Sequence, residues 1–351
     1  MDEFITMARQ RLHQAAARNV GVLIRGGGSK EFYGGRLEGE VLDTTAYRGV
    51  VNYDPSELVL TVRAGTALAE VEATLAASGQ MLAFEPPHFG AATVGGLVAT
   101  GLSGPRRPYT GAVRDAVLGV ELMDGRGQVM RFGGRVMKNV AGFDMFRPQV
   151  GALGTLGLLL EVSFKVLPTP EIEVTRRFEC SPRAAIDAMN RHAGTPIPLS
   201  GASYHGGVLR LRLSGNGAGV RAAERVLGGD EEADSAAYWR DLREQTLPFF
   251  LGDTPLWRLS LPSTRPPVAE AGEDELIDWG GAQRWLRTTA SAEAVRARAA
   301  AAGGYANCFR HGLRDDALQR PAPALMALHW RLKRVLDPIG VLNRGRLFPD
   351  F

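Results

Sequence analysis

The stretch LIRGGGSKEFYGG, residues 23 to 35, sets three consecutive glycines directly after an apolar strand. Val20, Val22 and Ile24 alternate as one face of that strand, so Gly26, Gly27 and Gly28 fall at its carboxyl end. Glycine there permits φ > 0 and lets main-chain amides come very close to another group, which makes the loop either a tight turn or a cradle for an anion. A dinucleotide fold needs G-x-G-x-x-G opening a helix, yet position 31 is Glu and FYGGRLEG has neither cap nor helical period. A Walker loop is excluded too, because Lys30 follows Ser29 instead of completing Gly-Lys-Ser/Thr. A main-chain nest for phosphate and a plain surface turn remain.

The 351 residues, 45% hydrophobic and 23% charged, describe a globular chain long enough for two packed cores. No window approaches a membrane span, since the longest apolar candidate, GALGTLGLLL, is closed by Glu161. The opening MDEFITMARQRL is acidic and reads as an amphipathic helix rather than a signal peptide, so a cytoplasmic location is expected. Cys180 and Cys308 stand far apart without a C-x-x-C, which encodes no disulfide framework, zinc site or iron-sulfur site and leaves two buried thiols. The net charge of +3 comes from 37 Arg and 4 Lys spread along the chain, not gathered among stacking aromatics, so no nucleic-acid partner is expected.

From residue 20 to 167 short β-rich runs alternate with glycine punctuation. Two hairpins are expected, one turning at Asp54-Pro55-Ser56 and one at Asp124-Gly125. TALAEVEATLAASG reads as a helix with Thr66 as N-cap, Leu68, Val71 and Leu75 on one face and Gly79 as C-cap. Pro168 and Pro170 then interrupt the chain, and the glycine density falls. Beyond them, strands over EVTRRFE, SGASYH and VLRLRLS alternate with helices over PRAAIDAMNRHA, opened by Ser181 and Pro182, and GVRAAERVLGG. LWRLSLP, ELIDWGG, QRWLRTTA, AEAVRARAAAAGG and YANCFR repeat that grammar. An antiparallel sheet covered on one face by helices is expected. A final helix, with Leu325, Leu328, Leu332 and Val335 on one side, leads to the tail PIGVLNRGRLFPDF.

Three further glycine-rich segments occupy the first half: PPHFGAATVGGLVATGLSGPRRPYTGAVRD at 86 to 115, KNVAGFDM at 138 to 145, and GALGTLGLLLEVSFKVLP at 151 to 168. One such segment is common punctuation, but four in this order are specific. They resemble the flavin-binding domain of the vanillyl-alcohol oxidase and para-cresol methylhydroxylase (PCMH) superfamily, and within it the wording from FEPPHFG to VMKNVAGFDM resembles the family of bacterial glycolate oxidase E subunits. The resemblance implies an α+β fold: a two-subdomain PCMH-type FAD-binding domain over 1–168, a smaller antiparallel cap domain over 171–320, and a helix and tail over 321–351 returning to the FAD domain. It also implies a complex with a homologous catalytic flavoprotein subunit and an iron-sulfur subunit, acting on a small 2-hydroxy acid. Any membrane association would come through those partners.

FAD carries a diphosphate, and the amides of Gly26, Gly27, Gly28 and Ser29, flanked by Arg25, Lys30 and Gly34, can meet its charge. Thr93, Gly95, Gly96, Thr100, Gly101, Ser103, Gly104 and Gly111 are expected to close on the other side. By resemblance, main chain at Gly157, Leu158 and Leu159 faces the adenine end, and Asn343 with Arg346 approaches the flavin ring. Relatives with covalent flavin often carry His in a loop like R-S-G-G-H-S; Ser29 stands at the corresponding place, so FAD is expected to bind non-covalently.

Hydroxy-acid oxidation needs a base, a cation for the carboxylate and a hydride acceptor. The six histidines, at 13, 88, 192, 205, 311 and 329, form no H-x-H, H-E-x-x-H or E-x-H-G pattern, so no metal site is expected. His192 and His205 read as surface or structural groups. His88, in PPHFG beside the second loop, is the one catalytic candidate, against a histidine bonded to a loop carbonyl. Three functions stay open: an electron-transfer or structural flavin subunit, a self-sufficient flavin oxidoreductase of a small alcohol, and a cofactor-free scaffold. The N-terminal helix and LPFF, with Phe249 and Phe250, are candidate partner surfaces.

Overall fold

The computed structural model describes residues 3–134, 144–312 and 314–351. Apart from Asp144 and Met145, the segment KNVAGFDM lies outside the described residues.

The helix Glu3–Ala17 buries Ala8, Leu12 and Ala15 in a core shared with Val22, Met123 and Leu160. The strand Val22–Arg25 pairs in parallel with Glu40–Asp43, and Leu342, from the far end of the chain, bridges in parallel to Val22. Next to this small sheet stands a five-stranded antiparallel one, in the order Val50–Asp54, Val59–Arg63, Leu158–Lys165, Val117–Met123, Val129–Gly133. Both expected hairpins are present, each turned by an aspartate that accepts main-chain bonds: Asp54 from the Ser56 amide at 3.0 Å, Asp124 from the Arg126 and Gln128 amides at 2.9 and 2.8 Å.

The helix Leu68–Ala76 packs Leu68, Val71 and Leu75 on this sheet, but its start differs from expectation. Ala67 is its N-cap residue, with no side-chain bond, while the Thr66 hydroxyl donates to Arg63 O at 2.7 Å and accepts from the Gly49 amide at 2.9 Å. Thr66 closes the loop ahead of the helix instead of capping it.

Beyond residue 171 all strands join one antiparallel sheet of eight, ordered Asp230–Glu231, Ile172–Glu179, Val208–Gly215, Leu199–His205, Asp274–Asp278, Gln283–Arg287, Leu256–Ser260, Tyr305–Arg310. The two stretches of repeated grammar meet where Tyr204 pairs with Ile277. Pro182–Ala193, Gly217–Leu227 and Ala292–Ala301 cover one face. The helix Ser235–Glu244, which the residue pattern did not announce, lies on the other, with Trp239 and Leu242 in a cluster that also holds Tyr33, Leu102, Trp285 and Phe309. Helices therefore flank the sheet on both faces, not one. Phe249 and Phe250, 3% and 5% exposed, belong to the same cluster, so neither LPFF nor the inner face of the first helix is a free surface. Cys308 is buried, whereas Cys180 is only half-buried.

The final helix, Pro323–Leu336, is held by Lys333, whose ammonium donates to Thr155 O at 2.8 Å, Leu342 O at 3.1 Å and the Asp337 carboxylate at 2.7 Å. The tail then runs back along the first strand, where the Asn343 amide donates to Val22 O and the Gly35 amide to Arg346 O.

Candidate functional site

The end of the strand Val22–Arg25, the helix Val94–Thr100 and the tail at 343 to 346 enclose a crevice of about 580 Å³. Its walls include Arg25, Gly26, Gly27, Gly28, Ser29, Lys30, Thr93, Gly96 and Thr100. An inner cavity of about 380 Å³, sharing Gly26, Gly96 and Asn343 with it, runs on to Gly95, Gly157 and Leu159.

Two loops that sequence reading treated separately touch each other here. A Cβ on Gly27 would collide with the carbonyl oxygen of Ala91, and one on Gly26 with the hydroxyl of Thr93. Those glycines are needed because chain meets chain. Gly96 is different: a Cβ there would meet nothing nearer than its own N-cap hydroxyl at 3.4 Å, so its missing side chain leaves room in the crevice itself.

Among the described residues, no internal acceptor takes the main-chain N–H of Gly26, Gly27, Gly28 or Ser29. Partly buried amides without partners are costly unless water or a ligand accepts them. Lys30, 7% exposed, lies beside them and donates to His88 O at 3.0 Å and Ser29 Oγ at 3.3 Å, with no carboxylate of the described residues in ion-pair range. Burial pushes its ammonium down to about 8, against the opposing charge of Glu244. At the mouth, Arg25 pairs with Glu31 at 2.7 Å. Unspent amides and an unneutralised cation at a glycine-lined wall fit a diphosphate, and the crevice thereby meets the demand of FAD's most highly charged part.

Asn343 and Arg346 line the crevice, but their polar atoms serve the chain. Asn343 accepts from the Ile24 amide at 2.7 Å and donates to Leu153 O at 2.6 Å; Arg346 donates to Tyr33 O and Gly35 O, both at 2.6 Å, and burial lowers its guanidinium to about 10. They clamp the tail to the first loop. Other expected contacts lie off the crevice. Gly34 packs under Leu153 and Arg346 O, Gly101 ends a helix beside Gly151, and Gly111 lies against Asp115. Ser103 accepts from the Val113 amide at 3.3 Å, Gly104 lies against Glu85, and Leu158 is fully buried in the core. His88 turns its ring to Glu72 of the helix Leu68–Ala76 at 2.9 Å, while its own amide binds Glu244, so the ring reaches neither the crevice nor a loop carbonyl. Arg106 binds Glu85 and Glu173, and Arg107 stacks over Trp279 at 4.3 Å. Ala99 and Gly154, which line the crevice, were missed; Ala99 was accessible as the residue one helical turn after Gly96.

A tighter cavity of about 330 Å³ lies where the second loop meets the eight-stranded sheet, bounded by Leu102, Leu242, Gln245, Asp278, Trp285 and Phe309. Arg258 donates to Gln283 Oε1 at 2.7 Å, and Gln283 reaches Asp278. Burial pushes the Asp278 carboxyl up to about 7, against the pull of the Trp279 amide. Gln245 Oε1 has no hydrogen-bond partner among the described residues.

Residues 7–133 match the family described as FAD binding domain. The glycolate oxidase subunit GlcE of Escherichia coli (strain K12) is 46% identical over 342 residues, covering 97% of this chain and 96% of that one. The glycolate oxidase subunit GlcD of Bacillus subtilis is 32% identical over 36% of this chain and 27% of its own length, and a D-lactate dehydrogenase of Archaeoglobus fulgidus 33% over 44% and 35%. Among solved structures, an alkyldihydroxyacetonephosphate synthase superposes with a TM-score of 0.66 at 15% identity, covering 95% of this chain and 73% of that chain, so the two share a fold. With a relative this similar over nearly its whole length, the chain belongs to the family of the glycolate oxidase subunit GlcE, and it carries that family's FAD binding domain.

Proposed function

We propose that the chain is a non-covalent FAD subunit of a glycolate oxidase assembly, with oxidation of the 2-hydroxy acid carried mainly by a homologous flavoprotein partner and an iron-sulfur subunit completing the complex. Residues 1–168 act as the FAD domain, 171–320 as a cap, and 321–351 as a clasp that closes on the first loop. The single observation that carries this reading is the row of unbonded amides from Gly26 to Ser29 beside the buried Lys30. Bound FAD supplies an acceptor for hydride and electrons. The chain's own part is to hold the diphosphate on those amides, to keep the crevice wall free of side chains at Gly96, and to fix the loop through Asn343 and Arg346. Ser29 offers no imidazole for covalent attachment. In this reading the protein works in the cytoplasm, and any membrane contact is made by its partners.

The alternative, a self-sufficient oxidoreductase, draws on Asp278, a buried carboxyl poised near neutral pH at the cavity that also holds Arg258. Reconstitution with FAD followed by acid precipitation and anaerobic addition of glycolate or D-lactate separates the two. Yellow colour that is released into the supernatant, and that substrate fails to bleach in the isolated chain, is the expected result. Bleaching of the isolated chain would install the alternative, and failure to take up FAD would leave a scaffold.

A further inference from the structure

The final helix has two apolar faces, and the fold uses one. Its inner side packs Trp330 on Phe351, with ring centroids 5.0 Å apart, and buries Leu336. Its outer side carries Leu325, Leu328 and Val335, which are 49%, 57% and 62% exposed, while Leu332 is half-buried and packs against the inner cluster. Eleven large apolar side chains are exposed among the described residues, and four of them, counting Ile339 in the turn that follows, belong to this helix and its end. Scattered exposure of single apolar residues is ordinary; a line of them on a rigidly anchored helix is not.

The three exposed positions, three and then seven residues apart, share one side of the helix, as the edge of a seam that receives a second helix does. Beside it, a surface groove of about 740 Å³ runs between the helix and the tail, with Trp330, Ile339 and Phe351 among its lining residues. The helix spans about 21 Å at 1.5 Å per residue. A seam of that length alone falls short of a stable interface, so the groove is a natural continuation of it.

Charge selects the occupant. Arg331 and Arg334 are exposed on the same helix, Arg334 in the lining of the groove, and neither lies within ion-pair range of a carboxylate among the described residues, while Asp337 and Asp350 of the groove are engaged by Lys333 and Arg320. A second copy of this chain would bring the same two cations to the seam and no free carboxylate to meet them. A lipid surface wants a broad apolar face with aromatic anchors, whereas this seam is one side chain wide and its Trp330 points inward. We infer that the outer face of the helix Pro323–Leu336 is the docking surface for a different protein, which lays an apolar helix edged with Asp or Glu along it. The inference rests on the heteromeric assembly proposed above and gives that assembly its contact.

The test co-expresses the full chain with the GlcD homologue of the same source and measures association by sedimentation, with phosphatidylcholine-phosphatidylglycerol vesicles and the chain alone as parallel arms. The double substitution Leu328→Glu with Val335→Glu is expected to weaken association about 100-fold while FAD absorbance and the thermal midpoint stay as in the parent. Arg331→Glu with Arg334→Glu is expected to weaken it about tenfold, most at low salt. Association unaffected by both pairs overturns the inference. So does a dimer of the chain alone, or binding to the vesicles, that disappears with Leu328→Glu and Val335→Glu. A parent chain that binds FAD yet stays apart from the GlcD homologue also overturns it, and leaves the flavin reading intact.

Discussion

The crevice at the first loop and the contact between the second loop and the eight-stranded sheet are built on opposite rules. In the crevice, among the described residues, four amides have no acceptor, and the buried Lys30 ammonium has oxygen acceptors but no carboxylate in ion-pair range. Across the sheet contact nearly every polar group is spent. Arg106 and Glu85 from the first half interlock with Arg212 and Glu173 from the second, with Arg212 bonded to Glu85 at 2.9 Å and Arg106 to Glu85 at 3.1 Å. In the same contact the rings of Phe32, Phe89, Trp285 and Phe309 pack edge to face, Trp285 and Phe309 lying 4.9 Å apart. The difference teaches where binding energy is available. A region that satisfies itself contributes stability; a region with unspent donors contributes affinity.

Substitutions that separate stability from affinity break or sharpen this contrast. The largest effect belongs to Gly27→Val. Its side chain would occupy the place of Ala91 O, the two loops would part, and FAD affinity should fall by more than about 100-fold together with a loss of several kcal/mol in chemical unfolding. Arg212→Ala comes next, on the other side of the comparison. Leaving Glu85 and Glu173 partly buried without that cation should cost about 3–5 kcal/mol of stability, while FAD affinity measured well below the melting transition stays within twofold.

Gly96→Ala is smaller and more telling. The fold has room for the methyl group, and alanine in a helix is favoured over glycine by about 0.5–1 kcal/mol, so the thermal midpoint should hold or rise. FAD affinity should nevertheless drop about tenfold, because the methyl group intrudes on the ligand's space. Equal affinity would mean that the wall at Gly96 is not where the cofactor lies.

The smallest effect is one of pH. Asp278 has its carboxyl raised to about 7 in the folded chain from a usual value near 3.8, so between those values the native state holds a proton that the unfolded state has released. Its contribution is therefore full at acid pH and is lost as the pH rises toward 7. Unfolding curves at pH 5 and pH 8 should show the parent losing stability across that interval and Asp278→Asn losing less.

Much of this was legible from residue order. The loop at 26 to 29, the turns at Asp54 and Asp124 and the strand and helix grammar beyond residue 171 announce themselves through glycine position, Asx chemistry and apolar period. The helix Ser235–Glu244 did not, because it packs on a polar stripe of the sheet. Trp239 donates to Thr175 at 2.8 Å and Tyr238 pairs with Ser203 at 2.7 Å, so the burial is written in hydroxyl groups rather than in an apolar repeat. Asn343 and Arg346 show a second limit: residue type says that a side chain can bind, not whether its partner is a ligand or a carbonyl across a chain separation of more than 300 residues. The final helix shows a third. Its Leu325 to Val335 stripe was visible in the sequence, but only the packed tail reveals that Leu332 joins Met326, Trp330 and Leu336 on the inner face.

The central claim, that the amides from Gly26 to Ser29 are the diphosphate site, is tested most directly by following the main-chain ¹⁵N–¹H signals of those residues while the flavin-free chain is titrated with ADP, FAD and riboflavin in turn. ADP and FAD should both shift the four signals in a saturable way, and riboflavin, which lacks phosphate, should leave them in place. Signals that stay fixed under FAD, or that respond equally to riboflavin, would contradict it.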